Sequence, residues 1–223
     1  MVAYGIEFAN MFIFALIVLI VSVILHEVAH GYMANYLGDP TAKLAGRLTL
    51  NPLVHIDPIG SVLLPGLLLL SQTVTHVPLL IGYAKPVPIN PHYLTGKYDE
   101  ALTAFAGPAT NIVLALIFGL IIRFFVAGAE TPLQDALKTI TYLNMVLALF
   151  NLIPIPPLDG SRVLASILPG PLGRWYDDFR NGFERMGIIS STLIIMLIFY
   201  YVLAGPFSVL LQALFTLLTG HAT

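Results

Sequence analysis

Residues 8–25 read FANMFIFALIVLIVSVIL, and His26-Glu27-Val28-Ala29-His30 follows without a break. The run holds no ionisable side chain, and then three arrive within five residues. A helix that crosses a bilayer needs about 20 apolar residues, so the run reads as a transmembrane helix. No Lys or Arg precedes it and no small-residue cleavage site follows it, which favours a retained helix over a signal peptide. The helix is expected to continue to Leu37, with Gly38 as its stop and Pro40 beyond. On such a helix the residues i and i+4 share one face. His26 and His30 can therefore reach one metal ion, with Glu27 about 100° round the helix and close enough to poise a water.

Composition supports a membrane setting. The 223 residues are 57% hydrophobic and 10% charged, with net charge −2. An average soluble domain carries roughly 25% charged residues, so the composition disfavours both a soluble enzyme and a disordered chain. The near-neutral balance gives no electrostatic footprint for nucleic acid. Zero Cys excludes a disulfide framework, a Cys nucleophile and Cys-ligated zinc.

Three more runs lack ionisable side chains: Ala101–Ile122, Thr139–Leu158 and Met186–Gly220. The last is long enough for two short helices broken at Gly205-Pro206. Pro58–Ala84 is apolar apart from His76, but Pro65, Gly66, Pro78 and Gly82 interrupt it, so it either spans or re-enters. Leu172–Met186 places Leu172, Trp175, Tyr176, Phe179 and Phe183 at helical spacing among Arg174, Arg180 and Arg185, which suggests an amphipathic interfacial helix. The expected fold is an all-α polytopic membrane protein with about five to six transmembrane helices and a short re-entrant β segment. It is read as one membrane-embedded domain over 1–223, with a core at 8–165 and C-terminal helices at 172–220.

A catalytic zinc needs a third protein ligand and an open position. Asn151-Leu-Ile-Pro-Ile-Pro-Pro-Leu-Asp159-Gly160 follows an apolar helix that should end near Asn151. Asp159 has two readings there: the N-cap of a helix Ser161–Leu168, or a metal ligand. Topology separates them, because two ligands of one ion must lie at one membrane depth. If Pro58–Ala84 re-enters, Asp159 lies beside His26 and His30; if it spans, Asp159 is on the wrong side. The positive-inside rule tests this independently. The re-entrant arrangement puts eight Lys and Arg inside and two, Arg123 and Lys138, outside, whereas the spanning one gives four and six. The N-terminus is thus expected outside and the active site toward the cytoplasmic side of the cell membrane. A second pair, His55 and Asp57, reads as a turn with a satisfied His rather than as another metal site.

These residues resemble the site-2 protease family of intramembrane zinc metalloproteases. The resemblance rests on H-E-x-x-H at His26–His30 in a membrane helix, and on Asn151, Pro154, Asp159 and Gly160 as N-x-x-P-x-x-x-x-D-G. Ala106-Gly107-Pro108-Ala109-Thr110-Asn111 is similar to the family's central-helix motif, and residues 82–90 to its re-entrant β segment. It is nearest to compact prokaryotic members without PDZ or CBS domains. The resemblance implies one Zn2+ per chain on His26, His30 and Asp159, with Glu27 as general acid/base. It implies Asn151 as a stabiliser of the oxyanion, and a substrate surface that includes Val87, Ile89 and Asn111; Asn111 also fits a plain helix–helix hydrogen bond. Within Lys85-Pro86-Val87-Pro88-Ile89, Val87 and Ile89 can donate from one edge while the prolines silence the other. The implied activity is hydrolysis of a peptide bond in or near a transmembrane segment of a membrane-protein substrate. The alternative is a metal- or proton-coupled membrane transporter, which would more often show two related halves.

Overall fold

A computed structural model describes residues 2–56, 85–126 and 131–221. Asp57, His76, the expected re-entrant run at 58–84 and the first residues of the expected β segment lie outside the described residues.

Every element among the described residues is helical. The long first helix, α1 (Val2–Tyr36), ends as the sequence suggests. Gly38 turns the chain at φ 108°, and the Asp39 N–H closes back onto the Ala34 carbonyl at 2.8 Å. A short α2 (Thr41–Leu44) and a 3-10 turn (Pro52–Val54) follow. Residues 85–90 form no regular element and pair with no strand among the described residues, so the expected β segment is seen only as a lone strap.

The next helix, α3 (Asp99–Phe125), is the hub, packing against α1 and against three later helices. Those are α4 (Pro132–Asn151), α5 (Asp159–Ile167) and α8 (Ala204–Thr219). Small residues on α3, Ala101, Ala104, Gly107 and Ala115, are buried in these contacts. Between apolar helices, where no water is displaced, small side chains gain close van der Waals packing. Thr131 caps α4 by accepting from the Gln134 N–H at 3.3 Å, with Pro132 at the first helical position. An apolar cluster of Ala115, Met145, Leu211 and Phe215 joins α3, α4 and α8.

Three helical stretches are long and apolar enough to cross a membrane: Asn10–Tyr36, Asp99–Phe125 and Ser190–Thr219. The sequence runs at Phe8–Leu25, Ala101–Ile122 and Met186–Gly220 thus correspond to helices. The run at Thr139–Leu158 is helical only to Asn151, and its helix begins earlier with Gln134, Asp135 and Lys138. The C-terminal run is continuous where a break was expected. Between α7 (Ile188–Ile198) and α8 lies one π-helical turn, Phe199–Leu203. Pro206 has no N–H to offer the Val202 carbonyl, and a widened turn absorbs that misfit without parting the helix.

An amphipathic α6 (Gly170–Arg185) precedes α7. It buries Tyr176 and Phe183 and leaves Leu172 and Trp175 exposed. Its Tyr176 hydroxyl donates to the Pro154 carbonyl at 2.9 Å, pinning the loop that carries Asp159.

The strap is tied at both ends. The Lys85 N–H donates to the His55 carbonyl at 2.9 Å, and Arg47 Nη2 donates to the Lys85 carbonyl at 2.7 Å. At the other end the Asn90 N–H donates to Asp39 Oδ2 at 2.7 Å. Asp39 is buried and also accepts from the Thr41 N–H at 2.9 Å and from the Thr41 hydroxyl. Burial pushes the Asp39 carboxyl upward, but these donors outweigh it and hold the group below the usual carboxylate range. Below about pH 3.9, the ordinary Asp value, the unfolded carboxyl takes up its proton before the folded one does. The stabilisation is therefore complete above that pH and drains away as pH falls through the lowered folded value. Unfolding in detergent should show this acid-side slope, and Asp39→Asn should flatten it.

Candidate metal centre

His26 and His30 occupy successive turns of α1 on the face turned toward α3. Each ring is fixed by its Nδ1. His30 Nδ1 lies 2.7 Å from the Thr103 carbonyl, and His26 Nδ1 lies 2.6 Å from Asn111 Oδ1. Both partners are acceptors, so both protons sit on Nδ1 and both Nε2 atoms keep their lone pairs. Those two Nε2 atoms are 3.0 Å apart. Asp159 Oδ2 completes a triangle with them, at 3.1 Å from His26 and 3.3 Å from His30.

Two bare nitrogens and a carboxylate oxygen at such separations repel unless a cation lies among them. Ligands bonded at about 2.0–2.1 Å in a tetrahedral zinc site stand about 3.3–3.4 Å apart, close to the observed edges. The donor set, two imidazoles and a carboxylate without thiolate, also suits zinc. Both histidines are buried, and the Asp159 side chain is 19% exposed. Among the described residues no other group of His, Asp or Glu converges in this way.

Asp159 gets there because α5 starts earlier than expected. The helix begins at Asp159 itself, and Leu158 is its N-cap, with no side-chain capping bond. Asp159 therefore does not cap a helix Ser161–Leu168; its carboxylate faces the imidazoles. Gly160 permits this, because a Cβ there would strike the Leu152 carbonyl and come within 2.7 Å of the Ile153 oxygen.

A cavity of about 200 Å³ opens beside the triangle and is lined by Glu27, Val87, Ile89, Asn151 and Asp159, among others. Glu27 Oε2 accepts from the Val87 N–H at 3.0 Å. Val87 therefore does not offer its N–H to a free edge; it spends it on Glu27. The Ile89 N–H has no partner among the described residues. Asn151 donates one amide hydrogen to the Leu147 carbonyl at 2.9 Å, leaving a second. Asn111 differs from its expected place on the substrate surface. It is fully buried and does not line the cavity, since its amide is taken up by His26, Asn144 and Ser22. His55 is buried, with Nε2 2.8 Å from the Thr49 carbonyl, and it joins no metal-binding group among the described residues.

At the centre, Thr103 and Arg162 are not marked as site residues in the sequence, and Gly107 stands there only within the Ala106–Asn111 motif. Thr103 contributes a backbone oxygen, which no side-chain pattern announces. Gly107 stands between Thr103 and Asn111 on the same face of α3, and a Cβ there would lie 2.6 Å from His26 Nε2. Its signals are that motif and the spacing of four to each neighbour. Arg162, one turn beyond Asp159, also lines the cavity.

The profile of peptidase family M50 matches residues 125–194. YwhC of Bacillus subtilis, named as a candidate zinc metalloprotease, is 39% identical over 164 residues, covering 70% of this chain and 69% of that protein. Rip2 of Mycolicibacterium smegmatis, named likewise, is 30% identical over 161 residues, covering 71% of this chain and 58% of its own length. A zinc metalloprotease of Methanocaldococcus jannaschii is 27% identical over 183 residues, covering 82% of this chain and 41% of that one. No solved structure matches the chain significantly.

Gly107→Ala should place a methyl group where the two Nε2 atoms converge. Overpacking of this kind costs about 1–3 kcal/mol, so zinc affinity should fall about 10- to 100-fold. Chelator competition on the detergent-solubilised protein measures it, with circular dichroism to show that the helices persist.

Proposed function

The chain belongs to the site-2 protease family, peptidase family M50, and on that footing we propose that His26, His30 and Asp159 hold its zinc for cleavage of peptide bonds in or near the membrane segments of other proteins. The family makes it a zinc metalloprotease. The intramembrane substrate and the residue roles are the proposal. The observation that carries it is the meeting of two Nε2 atoms and a carboxylate oxygen within 3.3 Å at the wall of a cavity that Glu27 also lines.

Zinc bound there supplies Lewis acidity toward the scissile carbonyl and lowers the pKa of water to about 7. Glu27 takes the proton of the attacking water and returns it to the leaving amine nitrogen, as general base and then general acid. The Val87 N–H fixes the Glu27 carboxylate through one oxygen at the wall of the cavity. The free amide hydrogen of Asn151 is available to the negative charge that develops on the carbonyl oxygen.

The substrate must arrive extended, because a helix hides its carbonyls in its own hydrogen bonds. The strap at 85–90 is the element that favours this state. With the strap extended, alternate N–H groups point the same way, which would put the Ile89 N–H on the side where Val87 meets Glu27. A substrate strand added there would lie along the cavity wall. Arg47 holds the strap from below through the Lys85 carbonyl. The reading treats 1–223 as one membrane-embedded protease domain. It also keeps the orientation drawn from the Lys and Arg bias, with the N-terminus outside and the site toward the cytoplasmic face.

The test is a purified protein in detergent with a model transmembrane substrate. About one zinc per chain and measurable cleavage are expected. Glu27→Gln should keep the zinc and lose about 10²- to 10⁴-fold in rate, the range of a general base. A zinc-free protein, or a variant that cleaves as fast as the parent, overturns the assignment.

A further inference from the structure

The proton position on His26 is decided two residues away from the metal centre. Asn111 Oδ1 faces His26 Nδ1, but an Asn amide presents oxygen or nitrogen according to its other partners. Asn111 Nδ2 lies 2.9 Å from Asn144 Oδ1 and 3.4 Å from the Ser22 carbonyl. Asn144 Nδ2 lies 2.9 Å from the Ile140 carbonyl and 3.0 Å from the Ser22 hydroxyl. A main-chain carbonyl can only accept. The Ile140 carbonyl therefore requires the NH2 of Asn144, which turns the Asn144 oxygen toward Asn111. Asn111 must answer with its own NH2, and its oxygen is left for His26. His26 then carries its proton on Nδ1 and its lone pair on Nε2, facing His30 and Asp159.

Each side chain in this relay is buried: Asn111 and Asn144 at 0% exposure, Ser22 at 3% and His26 at 6%. None can exchange a lost partner for bulk water, so the pattern has one satisfied arrangement. His30 is held differently. Its Nδ1 meets the Thr103 main-chain oxygen, which no substitution removes. The His26 side depends on replaceable side chains, backed in the main chain only by the long 3.4 Å contact of Asn111 Nδ2 with the Ser22 carbonyl.

We propose that Asn144, seated by the Ile140 carbonyl and Ser22, is a positioning residue that holds His26 in its metal-binding tautomer through Asn111. The inference rests on the zinc reading above but makes a separate claim, about where a proton sits. If Asn111 turned its amide over, its N–H would meet His26 Nδ1. The imidazole proton would move to Nε2, and the lone pair that faces Asp159 would be lost.

Two measurements on the full chain in detergent test it. The first is zinc affinity by chelator competition. Asn144→Leu has similar volume but no polar atoms, and it should weaken zinc by about 10- to 100-fold, the usual effect of losing a partner behind a ligand. Asn144→Asp keeps an acceptor toward Asn111 and, protonated, a donor toward the Ile140 carbonyl, so it should stay near the parent affinity. A purely structural role would be disturbed by both changes. The second is nitrogen NMR of the zinc-free parent with labelled histidine, which separates the two neutral tautomers and needs no variant to fold. A proton on Nδ1 of His26 is expected, whether or not Nε2 shares one with Asp159, and an Nδ1 without a proton overturns the proposal. Leu and parent proteins of equal affinity also overturn it, whereas a parent that binds no zinc strikes the metal reading and leaves the tautomer result standing.

Discussion

A polar atom buried among apolar helices must be answered by another polar atom, because no water is there to do it. That constraint acts hardest where α1 lies against α3. His30, His26 and Ser22 follow one another at intervals of four along α1, and Thr103, Gly107 and Asn111 do the same along α3. The two faces are matched antiparallel: His30 to the Thr103 oxygen, His26 to Asn111, and Ser22 to Asn111 and Asn144. Gly107 leaves space at the middle of this seam, and that space is where the Nε2 atoms point. This seam gathers Ser22, His26, His30, Asn111 and Asn144, and leaves the Nε2 ends of the two imidazoles to face Asp159.

The other half of the centre comes from segments that are barely regular. The strap at 85–90 and the loop after Asn151 both run without helix, and both are rich in proline. Each is pinned by a few directed bonds: the strap by His55, Arg47 and Asp39, the loop by Tyr176 from α6. Irregular backbone at membrane depth is tolerated where it is buried in protein or lines a polar cavity. Here it delivers Asp159 to the histidines and a main-chain N–H to Glu27. On the proposed substrate edge Val87 is already committed to Glu27, which leaves the Ile89 N–H as the first donor.

Much of this was legible in the residues. The apolar run at 8–25 announced α1 and its end near Gly38 by composition alone. The His-Glu-x-x-His spacing put two imidazoles on one face by the geometry of a single helix. The bias of Lys and Arg, with the prolines after Asn151, argued that Asp159 shares their depth, although residues 58–84, on which that argument turned, lie outside the described residues. Other expectations changed. Gly205-Pro206 does not part the last helix, because a π-turn relieves the missing bond locally. Asn111 is withdrawn from the cavity into the interior.

The sequence by itself determined whatever depends on near neighbours: the end of α1 near Gly38, the face shared by His26 and His30, and the chemistry those side chains can perform. Only the tertiary structure decided which atoms answer them. The bond from His26 to Asn111 joins residues 85 apart, and that from Asn144 to Ser22 joins residues 122 apart. Such pairings depend on how whole helices lie against each other, and that is set by small residues and shape along α3 more than by any motif. A buried Asn has the same letter whether it touches substrate or holds a ligand. Its role follows from which of its hydrogen-bonding atoms are already taken.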